Sequence, residues 1–126
     1  MRAVDTNVLV RLITRDDLRQ TAAAETFIEK GAWVSLLALA ESMWVLGAVY
    51  ELTPVQQANG IEMLLSHRQL VLQDRDAVDA ALFQFKAKPS LGFSDCLMLE
   101  LARKAGHLPL GTFDRGLAKL AGTQKL

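Results

Sequence analysis

The chain has 126 residues, fewer than the roughly 150 of a typical domain, so a single domain over residues 1–126 is expected. Hydrophobic residues make up 51% and charged residues 22% of it, a composition too apolar for disorder and sufficient for a core without staples. Fourteen basic residues balance fourteen acidic ones, which excludes a strongly basic, charge-driven nucleic-acid binder but leaves room for a nucleic-acid enzyme with a local basic rim.

In chain order, short apolar strands alternate with helices. Residues 2–5 (RAVD) read as a strand and residues 7–13 as a short helix. Asp5, Asn7 and Arg11 interrupt any apolar run there, so no secretory leader is expected. Asp17 can cap a helix over residues 18–30, with Gln20 three residues on as in a capping box. Residues 32–35 form a second strand, and Ser35 caps the most apolar helix, residues 36–50. The stretch 31–50 has the length of a membrane span, about 20 residues. Its central acid, Glu41, would cost roughly 3 kcal/mol or more in lipid, so a buried core segment is expected and no membrane association.

Thr53-Pro54-Val55-Gln56 is a second helix start, with a cap, proline at the first helical position and glutamine three on. That helix runs to about His67, and residues 70–72 form a third strand. Asp74 can cap residues 75–87, and residues 88–93 read as a loop. Ser94 is expected to cap residues 95–105, with Phe93 and Met98 as a hydrophobic staple and Gly106 as terminator. Residues 108–112 form a fourth strand and residues 115–121 a last helix. The pattern predicts an α/β fold: one short parallel sheet of about four or five strands, flanked by helices on both faces. Ligands of such sheets bind beyond the carboxyl ends of the strands.

Four acids stand out against that frame. Asp5 ends the first strand, Asp114 follows the fourth, Asp95 opens a helix, and Glu41 lies inside the most apolar helix. Asp5 and Asp114 can each be read as simple helix caps, and Asp95 as an acid favoured by a helix dipole. Glu41 is expected to be buried, where an ionised carboxylate is costly unless paired or metal-bound. Carboxylates that converge repel one another, and a hard divalent cation, Mg²⁺ or Mn²⁺, relieves that repulsion with oxygen ligands. The remaining acids read as surface groups, Glu100 pairing with Lys104 at i,i+4.

Other chemistries lack their residues. One cysteine allows no internal disulfide and suits a reducing, cytoplasmic setting. Cys96, His67 and His107 have no zinc spacing, and Cys96 reads as a core thiol. There is no GxSxG for a serine nucleophile, and residues 111–116 (GTFDRG) continue as Leu117-Ala118 where a phosphate-binding loop requires lysine and a hydroxyl residue. An Asp-x-Asp phosphatase pair is missing because Asn7 occupies the second position.

The opening AVDTNVLVRLITRDD, the helix LALAESMWVL, the segment GFSDCLMLELARKAGH and the ending LGTFDRGLAKLAG, in that order, span nearly the whole chain. Together they resemble the PIN-domain ribonucleases, and within them the VapC-like toxins of type II toxin–antitoxin modules. The resemblance implies that Asp5, Glu41, Asp95 and Asp114 are the catalytic acids that hold one or two Mg²⁺ or Mn²⁺ ions. Asp5 and Asp95 are the first choice as direct ligands. It implies that Thr6, Asn7 and Thr112 support them, and that Gly116 stands where some relatives carry a further acid.

The implied activity is metal-dependent hydrolysis of RNA by a growth-arresting toxin, with a cognate antitoxin as protein partner and a homodimer as the common assembly. Arg11, Arg15, Lys86, Lys88 and Arg115 are candidates for RNA phosphate contacts, each otherwise a solvated surface charge. The alternatives are a PIN fold that only binds a partner, and a PIN-type nuclease acting on DNA.

Overall fold

Strand, helix and cap signals combine into six helices and five three-residue strands in a computed structural model that describes residues 1–126. The architecture is α/β with parallel pairing throughout. The chain divides into two compact units, Met1–Arg75 and Asp76–Leu126.

The first unit holds β1 (Arg2–Val4), α1 (Thr6–Thr14), α2 (Leu18–Ile28), β2 (Ala32–Val34), α3 (Leu36–Ala48), α4 (Pro54–Ser66) and β3 (Leu70–Leu72). Its sheet has the order β1-β2-β3, with Val4 opposite Val34 and Val34 opposite Leu72. Two helices make each crossover, as parallel neighbours require. Local chemistry places the helix starts. Asp17 accepts from the Gln20 amide at 3.0 Å and Ser35 from the Ala38 amide at 3.0 Å. Thr53 and Gln56 close a complete capping box, at 3.2 and 2.8 Å. Helix α1 packs on α2 and α3, and Leu9, Val10, Ile28, Val34, Leu39, Leu46, Ile61 and Leu64 form the core.

The second unit holds the rest of α5 (Arg75–Ala87), then α6 (Phe93–Ala105), β4 (Leu110–Thr112), a single 3₁₀ turn (Leu117–Lys119) and β5 (Thr123–Lys125). Phe85 of α5 meets Phe93 of α6 edge to face, with centroids 6.1 Å apart. Gly106 ends α6 in the left-handed region at φ 81°, where a side chain would be strained. Lys104 bonds Asp76 at 2.8 Å and so ties α6 to the start of α5.

Several expectations are corrected. The single sheet of four or five strands is instead a three-stranded sheet and a separate pair, β4-β5. The partner of β4 is the polar C-terminal segment, whose Thr123, Gln124 and Lys125 carry no apolar signal; Thr112 stands opposite Lys125. The β4 strand starts at Leu110 rather than 108, after Pro109, which has no N–H for a ladder. The three-stranded sheet is not closed on both faces: the row Ala3, Trp33 and Val71 is exposed. The helix expected over 115–121 shrinks to the 3₁₀ turn. Ser94 is not a cap; α6 starts two residues earlier, at Phe93 after Gly92, without a side-chain cap bond. Glu100 is not a surface group: it is 7% exposed and paired with Arg103 at 3.1 Å. Residues 31–50 divide into β2, Ser35 and α3, and no helix is long and apolar enough to cross a membrane.

Candidate active site

Asp5 follows β1 and is the N-cap of α1, its Oδ1 accepting from the Val8 amide at 3.1 Å. The cap aims an exposed carboxylate at the start of the helix and leaves further lone pairs to offer a ligand. Thr6 is half-buried and Asn7 exposed in the first turn of α1.

Glu41 departs from expectation, because its carboxylate is exposed. Helix α3 is apolar by composition but buries only one side, through Ala38, Leu39, Ser42, Met43 and Leu46. Leu37 and Trp44, four residues before Glu41 and three after it, are 75% and 69% exposed and mark the opposite stripe. Glu41 falls in that stripe, so its presence in an apolar helix involves no buried charge.

In the second unit Asp95 occupies the first turn of α6 and is half-buried. Asp114 sits just beyond β4 on a tightly held turn. Its amide donates to the Thr112 hydroxyl at 3.0 Å, and its Oδ1 accepts from the Leu117 amide at 2.8 Å. Thr112 thus supports Asp114 through the backbone. A Cβ at Gly116 would lie 3.2 Å from Asp114 Oδ1 and 3.1 Å from Leu91 Cδ2. The turn therefore leaves little room for a further acid at that position.

The charge of Asp114 reaches the Asp95 carboxyl. Burial first, and the charge of Asp114 second, hold the Asp95 carboxyl above the usual carboxylate range. Burial also pushes the Cys96 thiol up to about 11, with the charges of Asp95 and Glu100 adding to it. Cys96 is therefore an inert core thiol and not a nucleophile at neutral pH.

Within neither unit do three His, Cys, Asp or Glu side chains gather as a group able to hold a metal ion. What the second unit offers is a pair of hard oxygen donors, one of which is reluctant to ionise beside the other. That donor chemistry fits a hard divalent cation, whose charge favours the ionised pair.

The cations singled out from the sequence differ in how they are used. Arg11 is drawn into a network, donating to Tyr50 Oη at 2.7 Å, Gln20 Oε1 at 2.6 Å and Asp16 Oδ1 at 3.2 Å. Gln20 thereby serves Arg11 instead of completing a capping box. The Thr14 hydroxyl, together with Arg11, keeps the Asp16 carboxyl below its ordinary value. Arg15 pairs with Glu25 at 2.7 Å. Lys86 and Arg115 are exposed and Lys88 is half-buried. Sequence reasoning missed two neighbours of Asp114: Phe113, and Lys125, which stands beside Thr112 in the β4-β5 register. TFDR held the signal for the first, and nothing marked the second as a strand residue.

The family model described as PIN domain matches residues 2–123. No curated protein matches the chain. PIN domains are generally nucleases and typically use divalent metal ions, so the match gives a nuclease fold in general terms.

Proposed function

We propose that this chain, which belongs to the PIN domain family, is a metal-dependent endoribonuclease that acts as the toxin of a toxin–antitoxin pair. The observation that supports the reading is the Asp95–Asp114 pair beyond β4, with Asp95 held protonated more readily than an ordinary carboxyl. A bound Mg²⁺ or Mn²⁺ would supply charge neutralisation and water activation for phosphodiester hydrolysis. Asp95 and Asp114 are the residues of the second unit that would hold it. Thr112 and the Leu117 amide fix Asp114, so its carboxylate needs little reorganisation to serve. In the hydrolysis, the oxygen of water joins phosphorus, the bond from phosphorus to a sugar oxygen breaks, and that oxygen leaves with a proton.

Asp5 and Glu41 enter the proposal through the family resemblance and are tested by substitution. The toxin role, a cytoplasmic location, a cognate antitoxin and a homodimer have the same footing.

The test is cleavage of end-labelled single-stranded RNA by the purified chain. Cleavage with Mg²⁺ or Mn²⁺, its loss in EDTA and its loss in Asp95→Asn support the reading. Undiminished cleavage in EDTA, or cleavage of DNA alone, refutes it. Growth arrest on expression, relieved by the product of an adjacent gene, would support the toxin role; harmless high expression in the native host would remove it.

A further inference from the structure

Phe113 lies between two residues whose positions are fixed, Thr112 at the end of β4 and Asp114 on its hydrogen-bonded turn. Its side chain is nevertheless 80% exposed. A lone exposed apolar side chain is ordinary. What distinguishes this ring is a rigid backbone on both sides and the company it keeps. Asp114, one of the two acids proposed to hold the metal, follows it directly in the chain. Two exposed cations flank the turn: Arg115 beyond Asp114, and Lys125 opposite Thr112 across the β4-β5 ladder. Arg11, Arg15, Arg103 and Lys104, in contrast, are engaged in ion pairs.

We propose that Phe113 is a stacking platform for one unpaired nucleobase of an RNA strand, with Arg115 and Lys125 receiving phosphates on either side of it. The inference rests on the nuclease reading in one respect, that the strand held there is the one presented to Asp95 and Asp114. Stacking needs an open base face. In a duplex both faces of each base are covered, so the platform selects single-stranded substrate. An aromatic ring accepts every base, so it sets register and strandedness and not sequence. The cations supply a salt-dependent attraction that brings the strand to the turn.

The test is binding of a short, fluorescein-labelled single-stranded RNA with a non-cleavable backbone, followed by anisotropy. Phe113→Ala should weaken binding about five- to a hundredfold and leave the melting temperature unchanged, because the ring is outside the core. Phe113→Trp should restore binding. An abasic nucleotide walked along the strand should find one position where its loss and that of Phe113→Ala are not additive. Arg115→Gln and Lys125→Gln should each flatten the salt dependence by roughly 0.7 in log–log slope.

Unchanged binding by Phe113→Ala, or additivity at every abasic position, overturns the platform. If the wild-type chain cleaves RNA and Phe113→Ala alters neither Kd nor KM, the platform fails and the nuclease reading stands. If only single-stranded DNA shows dependence on Phe113, the RNA reading fails and the platform stands as a DNA site. If neither nucleic acid binds, both fall.

Discussion

The charge of Asp114, just beyond β4, acts on the carboxyl of Asp95 in the first turn of α6. Burial of Asp95, and after it the charge of Asp114, raises the Asp95 carboxyl above its ordinary value of 3.8. A group with a raised folded pKa binds its proton more tightly folded than unfolded. Its contribution to stability is fully present below the unfolded value and is lost as pH rises through the folded one. At neutral pH, Asp95→Asn should therefore melt above the wild type in metal-free buffer. The gap should close as pH falls below the ordinary carboxyl value. Asp16 and Asp76, held low by hydrogen bonds from Thr14 and Lys104, act in the opposite sense. They destabilise both proteins together as pH falls, so the difference in melting temperature is the quantity to measure.

Divalent cation should act where protons compete. Binding to the folded chain alone stabilises it by about 2.7 kcal/mol at a hundredfold excess over Kd. For a chain of this length that is on the order of 5–15 °C in melting temperature. The shift should be seen with Mg²⁺ or Mn²⁺ by scanning calorimetry, and should be blunted in Asp95→Asn and in Asp114→Asn. Melting insensitive to either metal at millimolar levels, with Asp95→Asn destabilising, would make these acids helix-end groups only.

The Glu100–Arg103 pair links the interior of the second unit to its C-terminal strand. Glu100 is buried, and Arg103 both pairs with it and donates to the Ala121 carbonyl at 2.8 Å. The next residue, Gly122, lies in the left-handed region at φ 94°, and a Cβ there would meet the guanidinium at 3.1 Å. Arg103→Ala leaves a buried carboxylate without its partner and should cost about 2 kcal/mol, since the arginine is itself partly exposed. Urea unfolding measures this. Replacing both residues by methionine should recover most of the loss; if it does not, the pair supports the C-terminal turn more than it offsets a buried charge.

What the sequence made legible was local chemistry. Asp17, Ser35 and the Thr53–Gln56 box act through bonds spanning three residues, so a short window contains each signal completely. The parallel α/β class followed from apolar strands separated by helices. Misreadings arose where the deciding partner was remote or the signal was an average. Glu41 looked buried because α3 is apolar overall, yet a helix has sides, and Leu37 and Trp44 share the exposed one with it. The separate β4-β5 pair was hidden because β5 is polar, and only its ladder with β4 makes it a strand. Glu100 was assigned to Lys104 by spacing, although Lys104 bonds Asp76 on α5, a contact no local pattern encodes. Asp5, Asp95 and Asp114 were legible one by one as candidates, being residues after strands or at a helix start. The effect of the Asp114 charge on Asp95 required the fold.

Thr21 gives a test of packing independent of the site. It is 3% exposed on α2, and its hydroxyl oxygen has no hydrogen-bond partner. An unsatisfied buried hydroxyl costs free energy that an isosteric methyl does not. Thr21→Val keeps the β-branch and so the helix propensity nearly unchanged. It should stabilise the chain by about 1 kcal/mol, read as a higher urea midpoint with unchanged slope. Destabilisation would mean that the hydroxyl is satisfied by water.

Glu41 separates structural from chemical roles most directly. Its carboxylate is exposed and α3 is held by residues on its other side, so Glu41→Gln should change stability by no more than about 0.5 kcal/mol. The amide keeps the shape and removes the charge. If Glu41 serves the proposed hydrolysis, RNA cleavage should fall about a hundredfold or more, the range seen when one electrostatic contributor to a transition state is removed. The two measurements belong together. Lost cleavage with an unchanged melting temperature assigns Glu41 to the chemistry despite its distance in sequence from the other acids. Unchanged cleavage returns it to the role of a solubilising charge on an otherwise apolar stripe, and the proposed set of four acids becomes a set of three.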